Sequence, residues 1–116
     1  MLLIDDEAHL GVTLRVGLRD EAEMVSVHSG REAVRLLLED SRFDLILCDL
    51  VMPDLNGMEV FEQVIKRRPE LRERFVFTTG GAITGSVRKF LEEVPRLDKP
   101  FRLEQVEALL RRAVTS

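Results

Sequence analysis

An aspartate at the end of a strand-forming segment is the first residue of this chain that could do chemistry. Asp49 follows the apolar run Leu45–Cys48, and a Met-Pro pair and an Asn-Gly pair come directly after it. Such turn-forming pairs predict that the carboxylate lies at the rim of a sheet, where a strand stops and a loop begins. Four more polar residues also follow predicted strands: Asp5, Asp6, Thr79 and Lys99.

The three aspartates Asp5, Asp6 and Asp49 form a candidate metal site. Carboxylates held close together repel one another and raise each other's pKa, and a divalent cation relieves that repulsion. Mg²⁺ suits such a cluster because it accepts one or two protein carboxylates and keeps waters that a phosphate can replace. Each residue alone has an ordinary structural role, since an Asp-Asp pair after a strand usually caps a helix. Their joint placement at one sheet edge favours a site.

The elements that must position these residues are visible as two kinds of apolar pattern. Short continuous apolar runs indicate strands buried on both faces, as in a parallel sheet covered by helices. They are Leu2–Ile4, Leu45–Cys48 and Phe75–Phe77, with weaker runs at Met24–Val27 and Val94–Leu97. Because the carboxyl ends of parallel strands meet at one edge, the polar residues that follow them are expected to lie together.

Segments with helical spacing lie between and after these runs. Leu10, Leu14 and Leu18 repeat at intervals of four, and comparable stripes begin at Ala33, Val60 and Leu103. A fourth helix is predicted at about residues 84–93, where glycines crowd the start. Five alternating strand–helix units predict an α/β fold with a doubly wound parallel sheet.

The composition indicates one globular domain over residues 1–116. Hydrophobic residues make up 45% and charged residues 33%, which is sufficient for a core. No apolar run approaches the roughly 20 residues of a membrane span, and no signal peptide is recognisable, so no membrane partner is expected. The net charge of −4 disfavours direct nucleic-acid binding. The single cysteine, Cys48, fits a plain core residue in the reducing cytoplasm.

Four sequence segments together resemble the signatures of response-regulator receiver domains. They are Ile4-Asp5-Asp6-Glu7, the run from Cys48 to Gly57, Phe77-Thr78-Thr79-Gly80 and Asp98-Lys99-Pro100-Phe101. The resemblance extends over essentially the whole chain. It implies a flavodoxin-like, five-stranded sheet with strand order 2-1-3-4-5.

The resemblance also implies a role for each site residue. Asp49 would accept a phosphoryl group from a phosphohistidine on a sensor histidine kinase or a histidine phosphotransfer domain. Mg²⁺ would be held by Asp5, Asp6, Asp49 and the backbone carbonyl of Val51. Lys99 would pair with the phosphoryl oxygens, and Thr79 would donate a hydroxyl hydrogen bond to them. The chain would then be a phosphorylated signalling module that assists its own phosphorylation and dephosphorylation, not an enzyme.

The same resemblance implies a conformational output, and this chain departs from the family pattern at one position that bears on that output. Movement of Thr79 would reshape the face formed by helix 4, strand 5 and helix 5, through which many receivers bind targets or a second receiver. The family usually has Tyr or Phe three residues before the lysine, whereas this chain has Arg96. Since burying an unpaired arginine is costly, Arg96 is expected to stay on the surface. A cis peptide bond is expected at Lys99-Pro100.

Two alternatives remain open at this point. A Mg²⁺-dependent phosphohydrolase working through an aspartyl phosphate would commonly carry a second aspartate at the position of Val51. A receiver-like scaffold that is never phosphorylated would not need all five site residues.

Val51 and Gly81 occupy positions that often tune hydrolysis in the family, and neither can orient water, so slow autodephosphorylation is expected. We expect no effector domain after residue 116, either in a stand-alone regulator or in a receiver excised from a hybrid histidine kinase.

Overall fold

The computed structural model describes residues 1–18, 23–40, 42–81 and 85–115. The strands are β1 (Leu2–Ile4), β2 (Val25–Val27), β3 (Ile46–Asp49), β4 (Phe75–Thr79) and β5 (Arg96–Asp98). The helices are α1 (Ala8–Leu18), α2 (Gly30–Glu39), α3 (Gly57–Arg67), α4 (Gly85–Leu91) and α5 (Leu103–Thr115). A 3₁₀ helix, Pro69–Arg74, connects α3 to β4. Within these ranges, no helix combines the length and apolar character needed to cross a membrane.

All five strands are parallel and lie in the order β2-β1-β3-β4-β5, which confirms the predicted fold. Successive strand residues face opposite sides of the sheet. Leu2 and Ile4 of β1 therefore join the apolar cluster that contains α2, α3 and the end of α4, while Leu3 joins the cluster under α1 and α5. The two buried faces explain why the central strands are continuous apolar runs.

The end of β3 lies beside the end of β4. Cys48 pairs with Phe77 and Asp49 pairs with Thr78, so Thr79 is one residue beyond the position opposite Asp49. Thr79 in turn pairs with Asp98 of β5, which places Lys99 immediately past that edge. The register therefore gathers the polar residues that the sequence placed after separate strands.

The predicted position of the last strand was wrong by two residues at its start. The apolar pattern predicted Val94–Leu97, but β5 is Arg96–Asp98. As an edge strand, β5 pairs with β4 alone and is largely exposed, so polar residues can form it. Val94 instead packs against the core on the α4 side, and the carbonyl of Pro95 accepts from the amide of Phe77 on β4 at 3.0 Å.

The fourth helix is shorter than the sequence predicted. It ends at Leu91, whereas the prediction extended to Glu93, and the predicted first residue, Thr84, lies outside the described residues. The amides of Glu92 and Glu93 donate to carbonyls three residues earlier, which tightens the chain into a turn and ends the α-helical pattern.

Candidate functional site

The carboxyl edge of the sheet carries the site residues that were predicted from sequence. Asp5 follows β1, Asp49 and Thr79 end β3 and β4, and Lys99 follows β5. Asp5 is 1% exposed, and Asp49 and Thr79 are each 6% exposed. Asp6, in contrast, lies on the surface at the mouth of the site. Buried carboxylates next to one another need compensation, so the contacts that each one makes are informative.

Asp49 is held in place by the loop that follows it. The amide of Val51 donates to Asp49 Oδ1 at 3.2 Å, which leaves Oδ2 to face Lys99. A Cβ on Gly57 would lie 2.6 Å from the carbonyl oxygen of Asp49. The glycine therefore allows the first turn of α3 to pack directly on the backbone of the proposed reacting residue, a contact that a side chain would prevent.

The start of α3 is fixed by a reciprocal capping box. Asn56 Oδ1 accepts from the amide of Glu59 at 2.8 Å, and Glu59 Oε1 accepts from the amide of Asn56 at 3.0 Å. These bonds satisfy two amides that a helix start would otherwise leave without partners. The sequence predicted that the Asn56-Gly57 turn precedes the third helix, and in the structure Asn56 caps that helix and Gly57 is its first residue.

Lys99 joins two of the aspartates. Its Nζ lies 2.9 Å from Asp5 Oδ2 and 3.4 Å from Asp49 Oδ2. Burial by itself would lower the pKa of Lys99, but the hydrogen bond to Asp5 and the charges of both carboxylates outweigh it and raise the pKa. Lys99 is therefore a permanent cation at neutral pH, placed between two buried carboxylates.

The backbone around Lys99 directs its side chain into the site. The amide of Lys99 donates to the carbonyl of Thr79 at 2.7 Å, and the Lys99-Pro100 peptide bond is cis, as predicted. A Cβ on Gly80 would lie 3.1 Å from the Cβ of Lys99. The absence of a side chain at Gly80 thus leaves room for the lysine stem.

The electrostatics of Asp49 favour the arrival of positive charge. Burial raises the pKa of Asp49 above its usual value, and the nearby charge of Asp5 raises it further. The Val51 amide and Lys99 oppose the rise without cancelling it. Because these surroundings destabilise the ionised form of the carboxylate, a cation that binds nearby stabilises that form.

The three aspartates fit a divalent cation. One carboxylate oxygen from each of Asp5, Asp6 and Asp49 can be chosen so that all lie within 4.8 Å of one another. An all-oxygen donor set with one exposed member suits Mg²⁺, which keeps part of its water shell. Asp5 Oδ1 also accepts from the amide of Glu7 at 2.9 Å, which orients that carboxylate.

Outside this group, Cys48 and Arg96 lie where the sequence predicted, and His28 and Phe90 are further neighbours of the site and of β4. Cys48 is fully buried and its surroundings raise the pKa of its thiol, which fits an inert core residue. The imidazole Nδ1 of His28 lies 3.3 Å from the backbone carbonyl of Asp5, at the rim of the pocket. Arg96 is exposed, and its Nε lies 3.7 Å from Asp98 Oδ1. The aromatic neighbour of Phe77 on α4 is Phe90, at 5.0 Å between ring centroids.

One residue of the site's surroundings was missed in the sequence. Asp54 lies in the loop after β3, and its carboxylate accepts hydrogen bonds from the amides of Gly30 and Arg31 at the start of α2. The separation of 24 residues hides this contact from local patterns. The signal available in the sequence was an acid in a turn, and such an acid most often bonds only to the backbone of its own turn.

The fold and the site define a small α/β domain with an acidic, cation-attracting pocket at the carboxyl edge of a parallel sheet. The family model described as the response regulator receiver domain matches residues 1–111. The chain belongs to that family. Receiver domains of two-component systems are phosphorylated on an aspartate, generally bind Mg²⁺, and interact with histidine kinases or phosphotransfer proteins. The family match does not favour the phosphohydrolase and scaffold alternatives.

Relatives and solved structures agree with this placement. The chain is 34% identical to the transcriptional regulatory protein ResD of Bacillus subtilis, covering 97% of this chain and 48% of that protein. It is 28% identical to the DNA-binding transcriptional regulator NtrC of Azospirillum brasilense, covering 100% of this chain and 24% of that protein. It therefore spans about half or less of these relatives. A response regulator receiver domain protein from Clostridium thermocellum has the same fold, with a TM-score of 0.84, 24% identity, and coverage of 98% and 92%.

Proposed function

We propose that residues 1–116 form one receiver domain in which Asp49 accepts a phosphoryl group from a phosphohistidine. The observation that carries the proposal is the arrangement around Asp49: one oxygen is fixed by the Val51 amide, and the other faces the ammonium group that Lys99 shares with Asp5. The carboxylate is thereby held in one orientation at the end of β3.

The transfer requires few groups. An oxygen of Asp49 attacks phosphorus, the N–P bond of the phosphohistidine breaks, and the imidazole leaves with its electron pair and takes a proton from solvent. A carboxylate is a weak nucleophile, so the reaction depends on position and on neutralised charge more than on activation of the attacking group. Lys99 opposes the burial that raises the pKa of Asp49, and so favours the ionised form whose oxygen supplies the electron pair.

Mg²⁺ would be held by Asp5, Asp6, Asp49 and the backbone carbonyl of Val51. When bound, it supplies positive charge to the phosphoryl oxygens and to the clustered carboxylates. Asp6 lies at the exposed side of the cluster, where it can bind a cation that still carries water. Asp5 is already committed to Lys99 and to the Glu7 amide, which favours contact through a bridging water.

Lys99 and Thr79 would stabilise the phosphorylated state. The longer of the two Lys99 contacts is that to Asp49, so the ammonium group can exchange it for a phosphoryl oxygen while keeping Asp5. The hydroxyl of Thr79, at the buried end of β4, would donate to another phosphoryl oxygen. The phosphoryl group adds a charge of about −1.5 to −2, and these two hydrogen-bond donors would stabilise it.

The partner on the input side would be a sensor histidine kinase or a phosphotransfer domain, and we propose the cytoplasm as the compartment because the single cysteine is a buried free thiol. The output would be a change in the face formed by α4, β5 and α5, through which a target or a second copy could bind. Thr79 connects the site to that face because its carbonyl accepts from the amide of Lys99, directly after β5.

Phosphorylation of the chain by acetyl phosphate with Mg²⁺, followed by intact mass, tests the proposal. We expect a gain of one phosphoryl group that is lost in Asp49→Asn. Asp44→Asn, the same change at an exposed aspartate just ahead of the first residues of β3, is the matched control and should keep the gain. No gain in the unmodified chain would favour an unphosphorylated scaffold. A gain that persists in Asp49→Asn would place the acceptor elsewhere.

A further inference from the structure

Asp54 connects the loop after β3 to the start of a different helix. Its Oδ1 accepts from the amide of Gly30 at 3.0 Å and its Oδ2 accepts from the amide of Arg31 at 2.9 Å. Both carboxylate oxygens are therefore used, each on a separate amide in the first turn of α2. The exposed amides and the dipole of a helix start both stabilise a negative charge there.

The loop also contacts α2 closely through its backbone. A Cβ on Gly30 would lie 2.6 Å from the Cβ of Leu55 and 2.9 Å from its carbonyl oxygen. Residue 30 must therefore be small for the loop to lie against the helix start. Leu55 packs against the apolar cluster on this side of the sheet, and Met52 belongs to that cluster. Apolar contacts therefore anchor the loop on the core, and the hydrogen bonds to Asp54 fix it against the start of α2.

The same loop carries the backbone that faces Asp49. Val51, three residues before Asp54, donates its amide to Asp49 Oδ1, and its carbonyl is the ligand that the proposed Mg²⁺ site takes from the main chain. A backbone ligand is only as well oriented as the loop that carries it. Supporting groups outside the ligand set commonly affect metal affinity for this reason.

We propose that Asp54 is a positioning residue for the Mg²⁺ site, which fixes the loop between β3 and α3 against α2 and so orients the backbone of Val51. This inference rests on the proposed function for the identity of the metal. Asp54 itself does not contact the pocket in this proposal, because it acts through the backbone of the loop.

The cap of α2 is divided between two residues, which provides a matched control. Ser29 Oγ accepts from the amide of Glu32 at 3.2 Å, whereas Asp54 serves the amides of Gly30 and Arg31. Ser29→Ala therefore weakens the same helix start without touching the loop. A role of Asp54 confined to capping α2 predicts the same behaviour for Ser29→Ala and Asp54→Ala.

Two measurements on the full chain test the proposal. The first is the Mg²⁺ dissociation constant, obtained by titration with the metal alone. Asp54→Ala is expected to weaken binding by about tenfold, the lower end of the range for loss of groups that support metal ligands. Asp54→Asn, which keeps one acceptor oxygen, is expected to fall between. Ser29→Ala is expected to bind as the unmodified chain does.

The second measurement is hydrogen exchange at the Val51 amide without metal. Asp54→Ala is expected to speed exchange at Val51, and Ser29→Ala is not. Unchanged Mg²⁺ affinity in Asp54→Ala, or an equal loss in Ser29→Ala, would overturn the proposal. If the unmodified chain binds no Mg²⁺, the proposed metal site fails, and Val51 exchange still decides whether Asp54 orders the loop. If Asp54→Ala does not fold, Asp54→Asn decides both measurements.

Discussion

The ammonium group of Lys99 lies 2.9 Å from the carboxylate of Asp5, a residue 94 positions earlier in the chain. Asp5 is 1% exposed, so its charge is removed from water and depends on this partner. The same ammonium group reaches Asp49 at 3.4 Å. One lysine therefore compensates two buried carboxylates, and it does so across strands β1, β3 and β5.

Loss of Lys99 should destabilise the chain when no divalent cation is present. Lys99→Ala leaves Asp5 buried beside Asp49 without a cation, and we expect the free energy of unfolding to fall by about 1–3 kcal/mol. Urea denaturation followed by far-ultraviolet circular dichroism measures the change. Added Mg²⁺ should reduce the deficit. Lys89→Ala, at an exposed position of α4, is the control; equal stability of Lys99→Ala and the unmodified chain would contradict the prediction.

A methyl group at Gly57 should disturb Asp49 directly. Gly57→Ala places a Cβ 2.6 Å from the Asp49 carbonyl oxygen, so the start of α3 must move, at a cost of about 1–3 kcal/mol. Phosphorylation by acetyl phosphate should also slow. Gly85→Ala is the matched control because a Cβ there meets nothing within 4 Å. It should leave phosphorylation unchanged, and a harmless Gly57→Ala would show that the close approach is not required.

The stabilisation that Asp54 supplies to the folded state should be lost at acid pH. Hydrogen bonds from the amide of Arg31, and also from that of Gly30, lower the pKa of Asp54 from 3.8 to about 2. A lowered pKa in the folded state means that the contribution is complete above the unfolded value and is lost as pH falls toward 2. The difference in melting temperature between the unmodified chain and Asp54→Ala should therefore shrink across that window. A difference that stays constant down to pH 2 would be inconsistent with this titration.

The phosphorylated form should persist. Val51 presents an exposed apolar side chain beside Asp49, and Gly81 presents none, so neither can orient an attacking water. Intact mass recorded over time after removal of the phosphodonor measures the lifetime, and a half-life of seconds would contradict the prediction. Val51→Asn supplies an amide and should shorten the lifetime. Val12→Asn makes the same change at an exposed valine of α1 and should not.

Arg96 should stay on the surface when Asp49 carries a phosphate mimic. Its exposed pairing with Asp98 at 3.7 Å contributes little, so Arg96→Ala should change stability by less than about 0.5 kcal/mol. Superposed structures with and without the mimic test the placement, and burial of Arg96 in the mimic-bound form would refute it. In that case a buried contact made by the arginine itself would have to carry the conformational change from Asp49 to the face formed by α4, β5 and α5.

The sequence by itself determined the sheet and which polar residues lie together at its carboxyl edge. Asp5, Asp49, Thr79 and Lys99 each close or follow a short apolar segment, and parallel strands bring such ends to one edge whatever the details of packing. Local patterns were less able to place β5, because an edge strand need not be apolar, and Val94 packs in the core instead of joining the sheet.

The tertiary structure alone decided which groups meet. The pairing of Lys99 with Asp5, the approach of Gly57 to the Asp49 carbonyl and the bonds from Asp54 to α2 all join segments that are distant in sequence or meet at a tight turn. No periodicity encodes such contacts, since they follow from strand register and from how loops pack on helix starts. The residue types determined the chemistry of the site, and packing determined its geometry.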